Sequence, residues 1–161
     1  MNKDAPLIVQ GDGTILLDVG AKDFEEIRNF MLVFAELLKS PEYIHTYRIT
    51  LVSLWNAASL NYNAETIISF LKKYASYEIP KNIIKQIETS IEKYGKVKII
   101  KENEKYYLIS EDEDIIEEIS RYKPILKYIK EKVDLNKIEI EPIYRGHIKL
   151  ALINIGYPVE D

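Results

Sequence analysis

Between Thr50 and Ser110 the hydrophobic pattern changes period in a set order, and that order limits the folds open to the chain. Thr50 can cap a helix over 51–60 with Leu51, Leu54, Trp55 and Ala58 on one side. Residues 61–63 break it, and Asn63 caps a second helix to Tyr74, with Ile67, Ile68, Phe70, Leu71 and Tyr74 inward. Pro80 suits the first turn of a third helix to Tyr94, which buries Ile83, Ile84, Ile87 and Ile91 and stops at Gly95. KVKII and KYYLI then alternate across Glu102, Asn103 and Glu104, which predicts a hairpin. Three helices and a hairpin is the order of a winged helix, a fold that grips nucleic acid or another protein.

The flanks predict further elements. PLIVQ and TILLDV join across Gly11-Asp12-Gly13 as a first hairpin. Asp23 and Glu26 form a capping-box pattern ahead of a helix in which Phe24, Ile27, Phe30, Met31, Phe34, Leu37 and Leu38 make one stripe, closed by Pro41. Residues 43–49 alternate as a strand. Ser110 and Glu113 suggest a capping box for an acidic helix to Tyr122, and Pro124 begins another to Lys132. Lys137 to Glu141 reads as a strand and Arg145 to Ile155 as a helix, the start of an incomplete unit. The expected fold class is α+β: an N-terminal β-hairpin and helix packed on a winged-helix-like three-helix unit with a hairpin wing, then C-terminal helices and a strand–helix tail. The expected domains are 1–132, with the winged-helix-like part at 50–110, and 133–161.

Composition excludes several classes of chemistry. There is no cysteine, so disulfides, iron–sulfur clusters and thiolate zinc sites are ruled out. Gly95-Lys96 lacks the other elements of a phosphate-binding P-loop, and Gly11 and Gly13 precede a strand and read as a turn. The two histidines, His45 and His147, read as structural or surface residues. Glu111, Asp112, Glu113 and Asp114 lack calcium-loop spacing and suit the start of a helix. No catalytic, cofactor-binding or metal-binding residue is expected, and neither a small-molecule substrate nor a membrane. The N-terminus has no signal-peptide pattern, which with the missing cysteines suggests a cytoplasmic protein.

The net charge of −4 argues against a dedicated nucleic-acid binder, yet charge is segregated. Residues 81–105 carry seven lysines against four glutamates. Lys81 and Lys85 on the third helix, with Lys96, Lys98 and Lys101 on the wing, are the candidate DNA contacts. The third helix offers only Asn82, Gln86 and Ser90 as polar readers, so sequence-specific reading is not expected. Tyr47, Arg48 and Trp55 are the candidate protein-interface anchors, with the core as the alternative place for the two aromatic rings.

PLIVQGDGTILLDV, FAELLKSPEYIHTYRITLVSLWNAASLN and YEIPKNIIKQIETSIEKYGKVKII resemble, in order, the N-terminal region of bacterial XPB-type DNA helicases. RGHIKLALINIGYPVED is similar to the junction into their damage-recognition region. The resemblance implies a non-catalytic accessory and interaction domain of an ATP-dependent 3′–5′ helicase in DNA repair. It implies a bacterial chain, nucleoid-associated when on DNA. ATP and Mg²⁺ would belong to motor motifs downstream of the region resembled. It also implies docking on the helicase's own motor domains or on another protein, with DNA a weaker partner. The alternative is a free-standing winged-helix DNA-binding protein or regulator.

Overall fold

The first two apolar runs pair as their turn residues predict. In the computed structural model, which describes residues 4–159, β1 (Leu7–Val9) and β2 (Thr14–Asp18) form an antiparallel hairpin. Gly13 holds the turn at φ 91°, where a Cβ would be strained and would lie 3.3 Å from the Ile49 carbonyl. Asp12 accepts hydrogen bonds from the Thr14 amide (3.0 Å) and hydroxyl (2.6 Å), and the hydroxyl contact is the main reason its carboxyl is held below the usual range.

Helix α1 (Phe24–Phe34) buries Ile27, Met31 and Phe34 but ends well before Pro41. Asp23 makes no side-chain cap, so the expected capping box does not form. Beyond Ala35 the chain becomes β3 (Glu36–Lys39), antiparallel to β4 (Ile44–Arg48). The expected continuation of the helix through Leu37 and Leu38 is therefore corrected. Main-chain pairing with β4 outweighs the helical period, and both leucines stay 44% exposed. The resulting sheet has the order β1-β2-β4-β3.

Thr50 caps α2 (Leu51–Ser59) in a reciprocal box with Ser53. Ser53 also donates its hydroxyl to the Phe34 carbonyl (2.7 Å), and the Asn56 amide donates to the Val33 carbonyl (3.0 Å). Two carbonyls at the end of α1 are thus satisfied by side chains of α2. Asn63 caps α3 (Ala64–Tyr74), and α4 (Lys81–Lys93) follows Pro80. The core of this part joins Leu7, Ile15, Leu17 and Tyr47 of the sheet to Ile27, Phe34, Leu54, Ile67, Leu71, Ile83 and Ile87 of the helices.

At the end of α4 the chain divides into two compact units, one up to Glu92 and one from Lys93 onward. The predicted hairpin exists as β5 (Lys98–Glu102) and β6 (Lys105–Ile109), turning through Asn103 and Glu104 at φ 50° and 69°. It belongs to the second unit and is not a two-stranded wing. β6 pairs with β8 (Lys137–Ile140), which pairs with β7 (Ile129–Asp134), in the order β5-β6-β8-β7. The helix expected from Pro124 to Lys132 is only α6 (Lys123–Leu126), because the next residues pair as β7. The tail is also not left without partners: β8 is an inner strand, and α7 (Arg145–Ile153) buries Ile148, Ala151 and Leu152. Helix α5 (Glu113–Ser120) is capped by Asp112, which accepts from the Asp114 amide at 2.9 Å. Ser110 instead accepts from the Asp112 amide at 3.2 Å, one step outside the expected box. The observed fold is α+β, with seven α-helices and two four-stranded antiparallel sheets among the described residues.

Candidate protein-interaction surface

Strand alternation decides which side chains the first sheet leaves uncovered. Leu7, Val9, Ile15, Leu17 and Tyr47 face the helices and are buried. The intervening positions point the other way. There Ile8 lies opposite Leu16 and Leu16 opposite Thr46, while Ile44 lies opposite Asp18. Ser76 ties the end of α3 to β1, its amide donating to the Leu7 carbonyl and its hydroxyl to Ala5 (2.8 Å each). Tyr77 follows at the border of the same face. Ile44, Tyr77 and Tyr43 are 46%, 56% and 74% exposed, and with Ile8 and Leu16 they border an open groove of about 550 Å³. These side chains, with Asp18 and Ser76 beside them, form an apolar strip that the unit's own helices leave uncovered.

A family described as the helicase conserved C-terminal domain matches residues 7–134. The chain belongs to that helicase family. Among curated relatives, a DNA 3′-5′ helicase XPB of Mycobacterium tuberculosis is 36% identical over 98% of this chain and 29% of its own length. The DNA 3′-5′ helicase XPB of Kineococcus radiotolerans is 31% identical over 98% of this chain and 28% of its own. A general transcription and DNA repair factor IIH helicase/translocase subunit XPB of Enterocytozoon bieneusi is 31% identical over 99% and 26%. The chain thus spans less than a third of the length of these helicases.

Within this helicase-family chain the sequence-predicted residues fall in different places. Tyr47 is fully buried and Trp55 nearly so, and neither ring is presented to a partner in this fold; of the three candidate anchors only Arg48 is exposed. Burial pushes the Tyr47 hydroxyl above its ordinary value, and it lies 3.5 Å from Nδ1 of His45. Lys81 and Lys85 are exposed on α4 in the first unit. Lys96, Lys98 and Lys101 are exposed in the second, where Lys101 lies 3.7 Å from Glu104. His45 packs edge-on against Phe24, and His147 lies in the other unit beside Tyr128 and Tyr144. Among the described residues no group of three or more His, Asp or Glu side chains is placed to hold a metal, and no helix is long and apolar enough to cross a membrane.

The patch residues Ile8, Leu16, Tyr43, Ile44 and Tyr77 were not singled out by sequence reasoning. The available signal was the continuous apolar run in β1 (LIV) and in β2 (ILL), where strands with one wet face would alternate; β4 and the residues around Tyr77 carried no such signal.

Proposed function

We propose that this chain is a non-catalytic accessory and docking domain of an XPB-like, ATP-dependent 3′–5′ DNA helicase that acts in DNA repair in a bacterial cytoplasm. The observation that carries the docking role is the uncovered apolar face built from Ile8, Leu16, Tyr43, Ile44 and Tyr77. The occupant is the helicase's own motor or a partner protein. The ATP and Mg²⁺ sites belong to the motor, and this chain is expected not to hydrolyse ATP. Residue 132 lies inside β7, so the role is assigned to both compact units and not ended there. The family description names a C-terminal position and the sequence resemblance an N-terminal one. The parent reading frame on either side of the chain decides between them.

Titration of the purified chain against the motor region of its parent tests the reading. Binding that Ile44→Asp removes, with the circular dichroism unchanged, supports it. Affinity indifferent to Ile44→Asp places docking elsewhere, and DNA-stimulated ATP hydrolysis by the chain alone overturns the non-catalytic role. A second reading, a free-standing DNA-binding protein or regulator, draws support separately from Lys81 and Lys85 in the first unit and from Lys96 and Lys98 in the second. These are exposed, and none is in the ion pairs formed among the described residues. Salt-steep binding to forked DNA, lost when Lys96, Lys98 and Lys101 become Glu, would favour that reading.

A further inference from the structure

The two sheets end in four edge strands, and an edge whose main-chain groups lack partners is a template for another strand. Three of these edges are obstructed. Beside β1, Ala75 bridges to Leu7 and the Ser76 amide donates to the Leu7 carbonyl. Strand β3 shifts register between Leu37 and Lys39, and β7 shifts between Ile129 and Lys132 and again before Asp134. Such bulges turn an edge out of line. The fourth edge, β5, keeps one register against β6 from Lys98 to Glu102. Glu102 faces Lys105 across a two-residue turn with both φ positive, so this pair is hydrogen-bonded and alternation fixes the rest. Lys98, Ile100 and Glu102 turn their main-chain groups to β6, and Ile99 and Lys101 turn theirs outward. Among the described residues no main-chain hydrogen bond reaches that outer side.

We propose that β5 pairs antiparallel with β5 of a second copy of this chain, about a twofold axis at Ile100. The side chains select this occupant. Lys98, Ile100 and Glu102 share one face of the strand, and read backwards that row is its own charge complement. In the twofold register Lys98 lies opposite Glu102 of the copy, and Ile100 opposite Ile100 of the copy. These are the non-hydrogen-bonded positions of the new pair, where facing side chains come closest. Ile99 then falls opposite Lys101 of the copy at the hydrogen-bonded positions, so the outward N–H and C=O groups of both strands find partners together. Main chain and charges are satisfied in one register. Lys98 is exposed and is in none of the ion pairs formed among the described residues. Glu102 accepts from Lys137 at 3.0 Å and keeps about half of its side chain open to a second cation. Lys101 keeps its ammonium in water while its methylene stem lies along Ile99 of the copy. This contact is separate from the sheet face of the proposed docking function.

One short edge is a small interface, so the expected dimer is weak, with a Kd on the order of 0.1 mM. Sedimentation equilibrium of the whole chain from about 10 µM to about 2 mM measures it. Hydrogen exchange at the Ile99 and Lys101 amides should slow as concentration rises. Lys98→Glu and Glu102→Lys each set like charges opposite one another twice, and each should weaken association by about tenfold. An equimolar mixture of the two variants should associate again, because every facing pair is then of opposite charge. Lys101→Pro removes an outward donor without touching the pairing to β6, and should abolish the dimer; Lys101→Ala should retain it. Ile44→Asp should dimerise unchanged, which keeps failure here distinct from failure of the sheet-face reading. A chain that stays monomeric at about 2 mM overturns the proposal. So does a dimer indifferent to Lys101→Pro, or a mixture of the two charge variants that associates no better than either alone.

Discussion

Tyr47 shows how one residue's role depends on which face of a strand it occupies. Its ring is fully enclosed, opposite Ile15 on β2 and Leu37 on β3, so it serves the core and not a partner. Tyr47→Ala is expected to cost about 3–5 kcal/mol in a urea melt, the range for emptying a large aromatic site. Tyr47→Phe should cost less than about 1 kcal/mol, because among the described residues the hydroxyl makes one long contact, to His45. The raised hydroxyl pKa has a defined consequence for pH. The folded state keeps the proton that the unfolded chain loses near pH 10, so this contribution is complete below that value and is lost as pH rises through the folded pKa. Denaturation midpoints measured between about pH 9 and 11 should fall less steeply in Tyr47→Phe than in the parent chain.

At the level of elements, the ends carry information that periodicity does not. Helix α1 could have continued through Leu37 and Leu38 on apolar spacing alone. It ends at Phe34 because Ser53 and Asn56 take up its last carbonyls and β4 pairs with the residues beyond. Ser53→Ala removes half of the α2 capping box and leaves the Phe34 carbonyl without its donor. A loss of about 1–3 kcal/mol by chemical denaturation is expected, whereas an exposed serine would cost almost nothing. In the second unit the β5–β6 turn places Glu104 at φ 69°, where glycine is at ease and glutamate is not. Glu104→Gly completes an Asn-Gly pair and should raise stability by about 0.4–1 kcal/mol. The Lys101–Glu104 pair lost with it is exposed and offsets little. Helix α5 adds a salt-sensitive contact. The hydrogen bond from Lys132, with the charges of Lys132 and Arg121, holds the Glu117 carboxyl below its ordinary range, so this contribution is present above that range and fades as acid protonates it.

For the whole molecule the decisive fact is that two apolar clusters share no residue. One joins the first sheet to α1–α4, and the other joins the second sheet to α5–α7. Leu152→Ala, at a fully buried site, should cost about 2–5 kcal/mol. Hydrogen exchange should show that loss in residues 93–159 and leave protection in residues 4–92 within about 0.5 kcal/mol. Equal loss in both would mean that the chain opens as one cooperative body. Local chemistry was legible in the sequence. The Gly-Asp-Gly turn, the Thr50 and Asn63 caps, the isoleucine stripe of α4 and the alternation of β5 and β6 each act over a few residues, and each stands where its residues predict. Partnership was not legible, because it is settled by segments far apart in the chain. Only the tertiary structure turned Leu37 and Leu38 into an edge strand, gave β6 a second neighbour in β8, buried Tyr47 and left Ile8, Tyr43 and Ile44 open. The physical reason is that a strand's apolar side chains state only that they avoid water. Which face is covered, and by what, is decided when distant main-chain groups pair.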